Sequence, residues 1–462
     1  MDSADIRRWR AELAELLGSA AVIAEEVPPP HPAWGRDRSP AGEGRPALVV
    51  RPASTDEVQR LVRWARRRRV PLVPAGGRSG YSGGATATGG EAVVAFERLD
   101  RILEWLPEIP AVRLQAGVVT GRLQQAAAER GWLYPVDFAA CDRSQVGGNV
   151  ATNAGGVRVL RWGMTRRWVL GLTVVSGAGE VLELGGGLLK DNAGYDLKQL
   201  FVGSEGTLGL ITEVTLRLTR PVQERTLIAL AADELEGLLA ILRRSHRLPR
   251  PVLAFEMFDG TCQEMMSKVV GQPLFDRSWH FLALLEIETP PPAVLAAWLE
   301  ALPSGIAHRP AADGAEAERF WRHRLEISDT LAQRHRVHKN DLSVPPRALP
   351  TLHRDLTALA RQIDLPLTCF GHVGDGNLHV NLLRPDGLEE SAFAERCRAF
   401  DVESYRRVAT LGGSISAEHG LGRLKGEHLP LCRSPAELAA MAAIKQVFDP
   451  DGILNPGKVL PG

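Results

Sequence analysis

Cysteine is scarce in this chain of 462 residues and is not organised. Cys141, Cys262, Cys369, Cys397 and Cys432 form no C-x-x-C and no even framework. Neither a disulfide scaffold nor an iron–sulfur cluster is expected, and a reducing compartment suits the chain best. Charge of one sign is not in excess either. Lys and Arg number 55, as do Asp and Glu, and the formal net charge is zero. Nucleic acid is therefore not an expected partner. The local exception, Arg66–Arg69, ends a helix-like stretch where cations complement the helix dipole, and it reads as a solvated helix end. No apolar run reaches the length that spans a bilayer, so no transmembrane segment is expected. Met1-Asp2-Ser3-Ala4-Asp5 lacks the basic start of a secretory signal. A cytoplasmic location follows as the expectation, with peripheral attachment to a membrane left open. Repeats and low-complexity segments are absent. With 44% apolar and 24% charged residues, the chain can form two or three domains with a large core.

Against this plain background one stretch carries chemistry, Gly371-His372-Val373-Gly374-Asp375-Gly376-Asn377-Leu378-His379-Val380-Asn381. It begins as a glycine-rich turn and ends as a strand. Alternation with Leu378, Val380 and Leu382 puts His379 and Asn381 on one strand face. His372 lies across the turn, where glycines let the chain fold back. Two imidazoles brought together this way can bind a divalent metal, and Glu418-His419 downstream offers a third ligand. Two His and one Glu with an open position form a known zinc set. Taken singly, each His could instead be a hydrogen-bonded core or turn residue.

From the start, residues 1–20 read as a polar helix and 28–46 as an irregular crossing segment rich in proline and glycine. A strand at Ala47–Arg51, a helix capped by Ser54 or Thr55 with a Val58, Leu61, Val62, Ala65 stripe, and a strand at Val70–Val73 make a β-α-β opening. Then comes Pro74-Ala75-Gly76-Gly77-Arg78-Ser79-Gly80-Tyr81-Ser82-Gly83-Gly84. Such glycines expose backbone N–H groups that can surround an anion such as a pyrophosphate. It is neither a Walker loop nor a clean Rossmann fingerprint, and alone it could be a flexible loop. A helix starts at Thr120 or Gly121. Small residues dominate Gln145–Gly156, which would let backbone approach a flat ligand. Val169–Ser176 and Glu180–Leu184 read as a hairpin, and a further strand ends at Leu218. Beyond residue 220 longer helices alternate with strand-like runs at Thr226–Ala231, Val252–Phe258 and Phe281–Glu288. A helix at Pro435–Phe448 leads into the tight turns around Asn455.

Gly371–Asn381 and Glu418-His419-Gly420 resemble the C-terminal signatures of the FAD-linked D-2-hydroxyacid dehydrogenases, a group that includes D-lactate and D-2-hydroxyglutarate dehydrogenases and the flavin subunit of glycolate oxidase. Residues 45–219 resemble the FAD-binding half of vanillyl-alcohol-oxidase-type flavoproteins. The resemblance implies an α+β fold of three parts: an FAD-binding domain of two α/β subdomains at 1–219, an α+β substrate domain at 220–415, and a C-terminal segment at 416–462 that returns to the flavin. Gly76, Gly77, Arg78, Ser79, Gly80, Ser82 and Gly83 would hold the pyrophosphate. Asp137, Gly148, Thr152, Asn153, Ala154 and Gly156 would line the flavin, with Glu205, Gly206 and Ile211 near the adenosine or ring edge and Asn455 near the isoalloxazine. Arg78 stands where members that tether FAD covalently through this loop carry His, and no His lies between His31 and His246, so non-covalent FAD is expected. Ala193 and Trp162 depart from the more usual Thr and Tyr.

By the same resemblance His372, His379 and Glu418 would hold zinc or manganese, and His419 would be the general base, a role suited to imidazole. Arg324, Ser328, Lys339 and Asn381 map onto substrate-binding positions. A guanidinium and an ammonium suit carboxylate recognition, although Arg324 and Lys339 could also be surface ion-pair residues. The activity implied is oxidation of a D-2-hydroxy acid, with D-2-hydroxyglutarate or D-lactate favoured. Electrons would pass to an acceptor protein or quinone. A homodimer is compatible with this, as are a glycolate-oxidase-type subunit of a larger complex and an oxygen-using oxidase. An ether-lipid synthase of the same fold is disfavoured, because its usual adjacent-His motif is not evident.

Overall fold

The β-α-β opening closes on a parallel sheet whose middle strand comes last. In the computed structural model, residues 3–23, 34–42 and 44–461 are described. Of the crossing segment expected at 28–46, the described residues contain no helix or strand, and Pro28–Pro30 and Pro32 lie outside them. Strands β1 (Leu48–Val50) and β2 (Leu72–Ala75) both pair in parallel with β3 (Ala92–Ala95), which lies between them. The connecting helix Thr55–Arg68 is capped by Ser54, whose side chain accepts from the Glu57 amide, and it buries Val58, Leu61, Val62, Trp64 and Ala65. At its end Arg69 turns left-handed. Arg66 pairs with Asp451 and Arg68 with Glu12, so the basic run closes ion pairs around the helix end.

A second, antiparallel sheet has the order β4-β5-β8-β6-β7. Its strands are β4 (Ile102–Leu106), β5 (Ala111–Gln115), β6 (Val169–Ser176), β7 (Val181–Gly185) and β8 (Gly209–Arg217). The hairpin expected from Val169–Ser176 is the β6–β7 pair. The helix Val146–Thr152 runs through the small-residue stretch, where no helix was expected. These elements belong to one compact unit formed by residues 1–155, 164–221 and 418–462. The C-terminal tail completes that unit by extending the β2 edge. The Leu72 amide donates to Ile453 O at 2.7 Å, and the Asn455 amide donates to Leu72 O at 2.8 Å.

The second unit comprises residues 156–163 and 222–417. Its sheet has seven strands in the order β12-β9-β11-β10-β14-β15-β13. They are β9 (Arg225–Ala232), β10 (Val252–Asp259), β11 (Phe281–Glu288), β12 (Ala307–Pro310), β13 (Val337–Ser343), β14 (Leu367–Gly371) and β15 (Asn377–Leu383). Register decides which side chains share a face. Phe258 lies opposite Phe370, Phe370 opposite His379, and His379 opposite Asp341. One row along, Thr368 faces Asn381, and Asn381 faces Lys339. Since side chains two apart point the same way, Glu256 and His372 join this face.

Apolar packing holds the frame. Phe258, fully buried, sits between Leu282 and Phe370 on neighbouring strands and packs with Phe320, Ile327 and Met266. Asp259 beside it caps the helix Gly260–Val270 and accepts from Thr368 Oγ1 at 2.7 Å and the Cys369 amide at 2.6 Å, tying helix and two strands together. Phe258→Ala removes the ring and leaves a cavity, which is expected to cost about 3–5 kcal/mol. A lowered midpoint of chemical unfolding is the readout, and an unchanged midpoint would contradict this packing.

Candidate functional site

In the first unit the glycine loop, the Gly203–Thr207 turn, the 418–424 loop and the C-terminal tail converge on one carboxylate. Glu205, at φ 51°, is buried. Its Oε1 accepts from the Leu421 amide at 2.8 Å and its Oε2 from the Gly422 amide at 2.9 Å. Ser82 hydrogen-bonds to the same side chain, and Ser82 O accepts from the Arg423 and Leu424 amides at 3.0 and 3.2 Å. Asn455 Nδ2 donates to Glu205 O at 2.7 Å and to Gly84 O at 2.9 Å. Burial pushes the Glu205 carboxyl up to about 7, against the pull of the two amides. His419 lies on the loop so anchored, its ring 5.2 Å from that of Tyr81.

The glycines do more than bend the loop. A Cβ on Gly77 would lie 2.1 Å from Arg143 O, so only glycine fits there. Arg78 Nη1 lies 3.1 Å from Glu97 Oε1 and 3.4 Å from Gly76 O, and its guanidinium lies over the Trp34 ring. Gly148 has open space where a side chain would stand, and Gly76 faces Gln145. Asn153 closes the helix Val146–Thr152 in a left-handed turn and accepts from the Arg166 amide, while Ala154 O accepts from Thr165. Thr152 bonds back to Gly148 O. Gly206 backs onto Pro74, Ile211 is buried in β8, and Asp137 is half-buried. Gly156 belongs to the second unit. Among the described residues, the buried polar atoms without a hydrogen-bond partner include Gln145 Oε1, Asn455 Oδ1 and Lys458 Nζ. Uncommitted acceptors and a cation beside a glycine cradle fit a ligand that carries both N–H or O–H donors and phosphate, as FAD does.

In the second unit the hairpin β14–β15 brings the two imidazoles together. Gly376, at φ 88°, makes the close turn, and a Cβ there would meet Val344 O at 2.0 Å. His372 Nε2 and His379 Nε2 face each other at 3.3 Å. Each ring is backed by a buried acid through its other nitrogen. His372 Nδ1 lies 2.8 Å from Glu256 Oε1, and His379 Nδ1 lies 3.4 Å from Asp341 Oδ1. A ring that donates from Nδ1 keeps its lone pair on Nε2. Two ligand nitrogens at about 2.0–2.1 Å from a tetrahedral ion are themselves about 3.3–3.4 Å apart. The donor set therefore fits a divalent metal.

Asp341 also accepts from Asn377 Nδ2 at 2.8 Å and the Ala417 amide at 3.1 Å. Glu418 follows Ala417 directly and, with His419, belongs to the first unit. Lys339 Nζ donates to Ser328 Oγ at 2.9 Å, and Asn381 is buried beside them on β15. Arg324 departs from the picture of an open cation. It is buried, with Nη2 2.8 Å from Glu256 Oε2 and its guanidinium 4.8 Å over the Phe370 ring. That close pair is out of line for a hydrogen bond, so charge supplies the attraction. Glu256 and Asp341 were missed in the sequence. Glu256 is the lone acid in the apolar run Val252–Phe258, but an acid in a strand reads as solvent-facing.

Two outcomes follow. Gly77→Ala is expected to drive the loop off Arg143 and to yield protein without bound flavin, read as loss of yellow colour on purification. Because the Glu205 carboxyl titrates higher in the fold than in the free chain, its contribution to stability is complete below about pH 4.5 and lost as pH rises through about 7. The loss is on the order of 3 kcal/mol. Glu205→Gln is expected to flatten that part of the stability–pH curve. An unfolding midpoint that changes equally with pH in both proteins would contradict it.

Comparison with known proteins agrees with both halves. Residues 46–185 match the FAD binding domain, and residues 222–459 match the C-terminal domain of FAD linked oxidases. The chain is 39% identical to D-2-hydroxyglutarate dehydrogenase of Stutzerimonas stutzeri over 439 residues, covering 92% of this chain and 94% of that protein. It is 39% identical over 434 residues to the protein of the same name from Xanthomonas citri pv. viticola, covering 92% of each. D-lactate dehydrogenase of Anaerostipes hadrus is 32% identical, with 90% of each chain covered. Among solved structures, p-cresol methylhydroxylase with substrate bound superposes at a TM-score of 0.79 with 15% identity, covering 100% of this chain and 98% of that one. That places the fold in the vanillyl-alcohol-oxidase type expected from the sequence. Among the described residues, no helix is long and apolar enough to cross a membrane. A flavin loop, an FAD-binding half and a matched C-terminal half on one chain make this protein an FAD-dependent oxidoreductase that belongs to the FAD-linked oxidase family.

Proposed function

We propose that this chain oxidises D-2-hydroxyglutarate to the 2-oxo acid with the help of a divalent metal and passes the electrons to a protein or quinone acceptor. The observation that carries the metal is the facing Nε2 pair of His372 and His379, each ring held by an acid behind it. Glu418 is the proposed third ligand. A divalent ion held there, zinc or manganese, would supply Lewis acidity toward the substrate's hydroxyl and carboxylate. Bound FAD would supply the acceptor for the C2 hydride.

The chain's own residues supply the rest. His419 takes the hydroxyl proton, on a loop that Glu205 pins through the amides two and three residues later. Lys339, presented by β13 and steadied by Ser328, holds a carboxylate. Asn381 offers its amide from the same sheet face, and Arg324 adds the uncommitted Nε edge of its guanidinium. Two cations on one face suit a dicarboxylate better than lactate. The names of the D-2-hydroxyglutarate dehydrogenase relatives point the same way.

The test is anaerobic flavin bleaching with D-2-hydroxyglutarate, D-lactate, glycolate and L-lactate, before and after EDTA. Bleaching by D-2-hydroxyglutarate, lost with EDTA and restored by zinc or manganese, is expected. Bleaching that survives EDTA would remove the metal from the mechanism, and D-lactate acting alone would reassign the substrate. Lys339→Ala is expected to raise KM for D-2-hydroxyglutarate roughly 10- to 100-fold, the range of a lost charge-assisted hydrogen bond. His419→Ala is expected to abolish bleaching while the protein keeps its yellow colour.

A further inference from the structure

Glu256 is nearly fully buried, at 1% exposure, on the central strand β10. Its two oxygens go to different masters. Oε1 meets His372 Nδ1 at 2.8 Å, and Oε2 meets Arg324 Nη2 at 2.8 Å. We propose that Glu256 is a positioning residue that holds the metal-ligand imidazole and the carboxylate-binding guanidinium in a single grip, so that metal affinity and acid binding depend on one side chain. The inference rests on the roles proposed above for His372 and Arg324.

Three features favour this over a plain core ion pair. First, the pair is buried on a sheet face that also carries Phe258 and Phe370. In such a place well-packed hydrophobic residues commonly serve stability as well as an ion pair does. Second, the pairing is incomplete as a salt bridge. Arg324 reaches Glu256 with one nitrogen, and its Nε has no partner, which leaves donors for another anion. Third, the oxygen not used by Arg324 accepts from Nδ1 of the imidazole. That bond fixes the tautomer and aims Nε2 at His379. Asp341 acts on His379 from the neighbouring strand, so each ring has its own acid, and Glu256 also meets the Arg324 guanidinium.

Glutamine at this position cannot replace both contacts. Its amide offers one acceptor oxygen and one donor nitrogen, so either His372 or Arg324 faces a donor. The experiment uses the purified flavoprotein, stripped of metal and titrated with zinc against a chromophoric chelator, together with KM and kcat for D-2-hydroxyglutarate. Glu256→Gln is expected to lower zinc affinity roughly 10- to 100-fold and to raise KM more than it lowers kcat. Because a lone buried Arg324 could prevent folding, the second protein is the double variant Glu256→Leu with Arg324→Met, in which no acceptor faces His372 Nδ1. It removes the orphaned cation and is expected to regain thermal stability while zinc binding stays weak. Zinc affinity in the double variant within about twofold of wild type would overturn the inference and reduce Glu256 to a counter-ion for Arg324. Wild-type protein that takes up neither zinc nor manganese would overturn the metal reading itself. That result is read directly in the unmutated chain, so the two failures are distinguishable.

Discussion

The second unit is arranged around two imidazole nitrogens that face each other at 3.3 Å. Neutral rings in this pose oppose their lone pairs, which is unfavourable unless a proton or cation lies between them. The fold enforces the pose from both sides. Glu256 and Asp341 engage the Nδ1 atoms, and the tight turn at Gly376 fixes the distance between strands β14 and β15. The register of β13, β14 and β15 follows from the same requirement. Shifting β15 by one residue would send His379 and Asn381 to the opposite face and bring Leu378 and Val380 to the polar one. The hydrogen-bonded ladder and the site are thus a single constraint, and the apolar row from Phe258 through Phe370 continues it into the core.

The first unit solves a different problem, that of joining segments more than 200 residues apart in sequence. The Glu205 carboxylate does so through the backbone amides of Leu421 and Gly422. Amides of Leu421 and Gly422 cannot change their chemistry by mutation, and they orient the loop that begins with Glu418 and His419. The carboxylate is buried at the cost of an upward push on its proton affinity, which backbone hydrogen bonds offset in part. Asn455 then fastens the tail to both Glu205 and Gly84 through one side-chain amide, leaving its oxygen uncommitted. Rigid backbone seams of this kind suit a cradle that must present N–H groups without side chains in the way.

Periodic elements were legible in the sequence, and so were the residues whose type announces chemistry. The β6–β7 hairpin, the helix Pro435–Phe448 and the strands β9, β10 and β11 lie where alternation, turns and caps indicated. His372 and His379 could be paired from glycine spacing alone. The helix Val146–Thr152 could not, because Gly147, Gly148, Asn149 and Thr152 are weak helix formers, and tertiary packing decides there. Gly147 packs against Ala116, where a Cβ would lie 2.5 Å from that side chain. Nor could the middle position of β3 be read, since order within a parallel sheet depends on long-range pairing. Glu256 and Asp341 were hidden for another reason. An acid in a strand looks like a solvent-facing residue until the sheet is seen to be covered on that face.

Acids on the covered strands β10 and β11 show what buried charge does in this unit. Glu256 and Glu286 lie on the same sheet face, because Glu286 is opposite Ala254, two residues from Glu256. Glu286 holds Arg158 at 2.6 and 3.2 Å, and with it the short segment 156–163 that joins this unit across a gap in sequence. Removing one partner of such a pair costs about 3–5 kcal/mol, whereas replacing both with well-packed apolar side chains is often neutral or stabilising. Stability by itself therefore does not account for either acid. What distinguishes each is geometric: Glu286 fixes where a remote segment lies, and Glu256 fixes how an imidazole and a guanidinium point. Since Gly374 on the turn packs against Leu160 of that remote segment, with only 2.4 Å available to a Cβ, the position secured by Glu286 bears on the turn between His372 and His379. Two buried carboxylates thus bear on this turn, Glu256 through the His372 ring and Glu286 through the segment that packs against Gly374.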